Sequence, residues 1–184
     1  ARLAERRNDA ALLEEAADHQ HRTAVDSTTA AGLLVKAARV ALPADIGRAI
    51  KALQRALEID PDNELAAVHL RAVLIQTGEI DSLVDALTHA AQKSRSRARR
   101  ASLWVMVAGL YADQKEDIPA GIAALKRVVA QDAGNAPASM QLAGLYVRDS
   151  QWEPAATQLK EVLSHDPDPA TGIDAHLRLA EIYD

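Results

Sequence analysis

The chain has 184 residues and carries 26 acidic against 21 basic side chains, a net charge of −5. That balance argues against nucleic acid or an acidic membrane surface as a partner, and the absence of Cys removes disulfides and thiolate metal sites. Aromatic residues make up 3% with no Phe, which leaves little material for a large aromatic-lined pocket, and no apolar run approaches the roughly 20 residues of a membrane span.

No segment alternates like a strand and there is no glycine-rich loop, so the elements are helices. In chain order, Ala1 to Arg7 reads as the tail of one helix and Asp9 to Arg22 as its partner. From Ala30 onward a phrase recurs about every 34 residues. In the first copy, residues 30–63, small Ala37, Ala49 and Ala56 stand at positions 8, 20 and 27, with Val40 and Leu53 at 11 and 24 and Pro61 at 32. In residues 64–97 the same frame holds Leu70, Leu74, Leu83, Leu87 and Ala90. Residues 101–135 hold Trp104, Val107, Ala108 and Tyr111; one extra residue in the turn then brings Gly121, Leu125 and Val128 into register. The best copy is 136–169, with Leu142, Ala143, Tyr146, Ala155, Leu159, Val162 and Pro167. Residues 173–184 repeat the first-helix signature with Leu179, Ala180 and Tyr183. Small residues let two helices approach closely, and the larger ones fall on one face at helical spacing and fill the gap. Asp45, Asn63, Asp117 and Asn135 suit helix N-caps, Gly78 suits a C-terminal stop, and Pro61 and Pro167 lie just past helix ends.

This pattern resembles the tetratricopeptide repeat, whose unit has a large residue at 4, Leu at 7, Gly or Ala at 8, Tyr at 11, Ala at 20, Leu or an aromatic at 24, Ala at 27 and Pro at 32. The departures are Lys36 at position 7, Leu83 and Gly121 at position 20, and a missing Pro after Gln92. The resemblance implies an all-α, right-handed solenoid (superhelix) of antiparallel helix hairpins. It would form a single domain over 1–184, with four full repeats and partial repeats at 1–22 and 173–184. With half-repeats at both ends and a first residue other than Met, the chain is expected to be a window on a longer array, and homotypic association through uncapped ends is expected of it.

The resemblance also implies a concave face lined by the first helices, touched by ligand through positions 2, 5, 9 and 12. Carried over, this row comprises Leu34, Val68, Ala72, Ile75, Val105, Gly109, Met140, Gly144 and Val147, with Arg148 and Arg178 charged toward the C-terminal end. The row lacks the Lys and Asn with which some family members clamp acidic tails. A trough of apolar and small residues suits an amphipathic helix instead, with the two arginines orienting an acidic flank. Close packing within the array, or against a second copy, is the competing use of the same residues.

Gln92 to Arg100 holds Lys93, Arg95, Arg97, Arg99 and Arg100 and no acid. This is either a solvated loop between repeats or a patch for an acidic protein; no aromatic is interleaved for base stacking. No two of the six His stand at i, i+4, so a helical zinc site is not implied. There is no phosphate loop, nucleophile elbow or convergent acid pair. Trp104 and Trp152 read as packing residues. The expected function is therefore a non-catalytic scaffold, without cofactor, that binds a protein or peptide and makes no direct contact with nucleic acid or membrane. A structural spacer or self-association array, or the regulatory arm of a larger protein, is the alternative. The chain is expected to be soluble, in cytoplasm or periplasm, and its Ala- and Arg-rich style points to a bacterial source.

Overall fold

The computed structural model describes residues 9–23 and 27–184; the helix tail expected at Ala1 to Arg7 lies outside them. Among the described residues all regular structure is helical: α1 (Ala10–Arg22), α2 (Ser27–Ala41), α3 (Ile46–Ile59), α4 (Glu64–Thr77), α5 (Ile80–Lys93), α6 (Arg97–Gln114), α7 (Ile118–Gln131), α8 (Ala136–Arg148), α9 (Trp152–Ser164) and α10 (Pro169–Tyr183).

Short-range chemistry sets where these helices begin. A side-chain oxygen at the N-cap satisfies one of the amides that the first turn leaves unpaired. Asp45 accepts from the Arg48 amide at 2.8 Å, Asn63 from Ala66 at 3.0 Å, Asp117 from Ala120 at 3.0 Å and Asn135 from Ala138 at 3.1 Å. Asp9 caps α1 in the same way. Three starts lie earlier than the repeat frame places them, that of α2 at Ser27 among them. α6 opens at Arg97, where Ser96 Oγ accepts from the Arg99 amide at 3.2 Å. α10 opens at Pro169, where Asp168 accepts from the Ala170 and Thr171 amides at 3.1 Å each.

Two of the stops share one motif. Gly78 (φ 79°) follows α4 in the left-handed region, and the Gly78 and Glu79 amides donate back to Ile75 and Leu74. Ser150 (φ 57°) stands at the equivalent place after α8, with Ser150 and Gln151 donating to Val147 and Tyr146. Both close their helices with paired backward bonds that satisfy terminal carbonyls.

The chain divides into two compact units, residues 1–100 and 101–184. In the first, α1 packs on α2, α2 on α3, α3 on α4 and α4 on α5, and α2 also meets α4 and α3 meets α5. Neighbour-on-neighbour packing of this kind is the solenoid arrangement. The alanines of the repeat lie at the tightest places: Ala37, Ala49, Ala56 and Ala90 are buried, as are Leu53, Leu70, Leu74, Leu83 and Leu87. Each of those leucines is worth about 1.5–3 kcal/mol of transfer free energy. Ion pairs tie α3 back to α1: Arg48 donates to both carboxylate oxygens of Glu14 at 2.9 and 3.0 Å, and Arg55 pairs with Asp18. Hydrogen bonding to Glu14, then its charge, holds the Arg48 guanidinium above its ordinary pKa.

In the second unit α7 packs on α8, α8 on α9 and α9 on α10. Met140, Ala143, Ala156, Leu159, Val162, Ala175 and Leu179 form one buried cluster. The glycine at position 20 has a steric reason. A Cβ on Gly121 would stand 3.1 Å from the Ala108 carbonyl oxygen and 3.0 Å from Leu145 Cδ1, so an alanine there would press its neighbours back by a few tenths of an ångström. Trp104 is buried under the Arg127 guanidinium, 4.9 Å from its ring, as a packing role predicts.

Candidate protein-interaction surface

The surface of unit 1 carries one row that the core does not use. On α4, Leu65 is 63% exposed, Val68 51% and Ile75 38%, and Ala72 between them is exposed as well. Their spacing of three, four and three residues puts all four on one face of the helix. Lone exposed apolar residues are ordinary, but a row of four is an apolar stripe without a partner. Val68, Ala72 and Ile75 come from the sequence row. Leu65 does not, although it occupies position 2 of its repeat and the same frame points to it.

Unit 2 has a cleft of about 390 Å³ bounded by α8, α9 and α10. Gly144 and Val147 line one side, Leu177 and Arg178 another, and Trp152 and Glu181 stand at its edges. Leu177 is 61% exposed. Trp152, read from sequence as a packing residue, is instead exposed at this cleft. Arg178 lies over Gly144, where a Cβ would stand in ordinary contact with Nη1 at 3.5 Å.

Two residues of the expected row do not belong to the surface. Leu34 is wholly buried, because α2 is packed by α1, α3 and α4. Met140 is buried in the α8–α9–α10 cluster. Val105 and Gly109 are half-buried on α6. The two arginines expected to meet an acidic flank are already engaged. Arg148 donates to Asp113 Oδ1 and to the Ala112 carbonyl, both at 2.8 Å. Arg178 pairs with Asp174 through Nε at 3.1 Å and Nη2 at 3.0 Å.

The basic run divides in a similar way. Arg99 Nη2 donates to the Asn63 carbonyl at 3.4 Å and Arg100 Nη2 to the Ser94 carbonyl at 3.1 Å. This accounts for cations at a helix start, where the helix dipole disfavours them: they act as carbonyl donors across a turn. Beside them, Ser94 is buried and donates to Asp62. Lys93, Arg95 and Arg97 are exposed. Among the described residues no group of three or more His, Asp or Glu side chains has the arrangement to hold a metal, and no helix is long and apolar enough to cross a membrane.

Capped hairpins stacked neighbour on neighbour, with alanine at the close contacts, define an all-α solenoid protein. Residues 114–171 match the tetratricopeptide repeat family model. Solved structures agree on the fold. A tetratricopeptide repeat protein from Parabacteroides merdae is 14% identical at a TM-score of 0.59, covering 83% of this chain and 60% of that one. MamA is 18% identical at 0.53, covering 82% and 94%. PilF of Pseudomonas aeruginosa is 13% identical at 0.53, covering 95% and 84%. No curated protein matches the chain in sequence.

Proposed function

We propose that this chain is a non-catalytic protein-interaction scaffold whose first-helix faces hold an apolar or amphipathic segment of a partner protein. The observation that carries the reading is the α4 row, Leu65, Val68, Ala72 and Ile75, which a helical repeat has no internal reason to leave exposed. An amphipathic helix laid against such a row would bury apolar anchors at i, i+3, i+4 and i+7. The cleft of unit 2 offers a second place of the same kind. The repeats behind these faces are read as 30–63, 64–97, 101–135 and 136–169. The carbonyl-bound Arg99 and Arg100 serve the turn, which leaves Lys93 and Arg95 as the part of the basic run that faces an acidic partner.

The test places charge on the row without touching the core. Because Leu65 and Val68 are more than half exposed, a Leu65→Glu, Val68→Glu variant keeps its helical circular dichroism. It is expected to retain partner protein from a host lysate at least about tenfold less well than wild type, a loss of about 1.4 kcal/mol. Equal retention by the folded variant would remove the α4 row from the binding surface.

A further inference from the structure

Charge is divided unevenly along the chain, and the division bears on what the unit 2 cleft accepts. Residues 101–184 hold 12 Asp and Glu against 6 Lys and Arg, a net charge of −6, whereas residues 1–100 hold 14 against 15, a net of +1. The single cation lining the cleft, Arg178, is neutralised in place by Asp174 on the preceding turn of α10. Glu181, one turn further along, also lines the cleft, is exposed, and has no ion-pair partner among the described residues. The remaining walls that face an entering side chain are apolar or small: Gly144, Val147, Trp152 and Leu177.

We infer that the unit 2 cleft binds an amphipathic helical segment of a partner protein that carries a Lys or Arg beside its apolar anchor, with the anchor against Leu177 and Trp152 and the cation at Glu181. The inference rests on the scaffold reading and adds the sign of the partner's charge, which is opposite to the acidic flank that two arginines in the sequence row suggest. The energetic logic is one of availability. Arg178 already shares its charge with Asp174 through Nε and Nη2 on the same helix, which weakens its pull on an acidic partner. Meeting Glu181 breaks nothing. The surplus of acid in the unit adds long-range attraction for a basic segment, speeding encounter and making it sensitive to salt.

The test uses a displayed library of amphipathic helices about four turns long, with Leu fixed on the apolar face and the flanking positions varied among Lys, Glu and Ser. The bait is the whole 184-residue chain. Selected peptides are then measured by fluorescence anisotropy against wild type, Glu181→Lys and Leu177→Asp, each checked by circular dichroism. Enrichment of Lys beside the anchor is expected. A Lys-flanked peptide should bind wild type about tenfold more tightly than its Glu-flanked twin at low salt, with the order reversed by Glu181→Lys and both lost in Leu177→Asp. Peptides that bind through Leu177 with no charge preference, or with a preference that Glu181→Lys leaves alone, would overturn the inference and leave the scaffold reading standing. Failure to enrich any peptide, or binding that Leu177→Asp leaves intact, would overturn the cleft itself as a binding site. A wild-type dimer dissolved by Leu177→Asp would assign the cleft to a second copy of the chain and overturn the inference as well.

Discussion

Two residues at one place in the repeat, Gly78 and Ser150, hold the same left-handed backbone with different side chains. Glycine adopts that region freely, whereas an L side chain gives up about 1 kcal/mol or more. Ser150→Gly is therefore expected to stabilise the protein by about 1 kcal/mol and Gly78→Ala to destabilise it by a similar amount. A Cβ on Gly78 would meet nothing within 4 Å, so its loss would be conformational alone. Urea midpoints at unchanged slope would read both effects, and a Ser150→Gly midpoint at or below wild type would show that the serine side chain contributes something the backbone argument omits. The Asp168 cap makes a different residue-scale prediction. Thr171, through its hydroxyl at 2.6 Å and then its amide, holds the Asp168 carboxyl below its ordinary pKa, with the Ala170 amide adding to the effect. A carboxyl depressed by folding stabilises the folded state above its unfolded pKa of about 3.9, and that contribution is lost as pH falls through the lower folded value. Hydrogen exchange at Ala170 and Thr171 should therefore show the start of α10 loosening, after correction for intrinsic rates, only under strongly acid conditions. In Asp168→Asn that pH dependence should be absent.

At the scale of the helix, what was legible in the sequence was what depends on near neighbours. Asp45, Asn63, Asp117 and Asn135 cap the helices their positions predict, because a cap needs only an amide two or three residues away. Between residues 30 and 169 the alanines at positions 8, 20 and 27 are buried because the repeat brings the same two helices together each time, whereas Ala180 at position 8 of 173–184 is exposed. Helix starts capped by Ser96 and Asp168 escape the repeat frame for a local reason: both lie ahead of the first repeat position, and Asp168-Pro169 follows directly on the stop at Pro167. Burial of individual row residues was not legible. Leu34 and Val68 share position 5, yet one is wholly buried and the other exposed, since exposure depends on which other helices reach that face. The state of Arg148 and Arg178 was hidden for the same reason, as Asp113 lies on a neighbouring helix and Asp174 pairs only if the rotamer allows. At Gly121 a departure from the repeat pattern coincides with a close approach of α7 to α6. Gly121→Ala gains helix propensity but drives a Cβ against the Ala108 carbonyl, and overpacking of that kind costs about 1–3 kcal/mol. Gly109→Ala is the matched control on α6, where a Cβ meets nothing within 4 Å and the gain should be up to about 1 kcal/mol. Thermal melts should move in opposite directions for the two variants; a rise in both would mean that α7 can retreat from α6 without loss.

For the whole molecule, the balance between charge and exposed apolar surface sets how the chain behaves among its own copies. At neutral pH a net charge of −5 opposes self-contact. The repulsion disappears near the isoelectric point of about 5.7, while the exposed side chains of Leu65, Val68, Ile173 and Leu177 carry no titrating group. Apolar contact does not titrate, so attraction between copies should be strongest where the charge term vanishes, and weaker again on the acid side once net positive charge accumulates. Salt at neutral pH acts in the same direction by screening: at about 0.5 M the Debye length falls to roughly 4 Å and most of the repulsion between separated molecules is removed. Light scattering across pH is therefore expected to show apparent mass passing through a maximum near the isoelectric point. Leu65→Ser and Leu177→Ser should each lower that maximum without displacing it, because they change apolar area and leave the charge alone. A maximum that survives both substitutions would assign the association to the uneven charge of the chain, net positive over residues 1–100 and strongly negative over 101–184. In that case added salt would dissolve it, the reverse of its effect on an apolar contact.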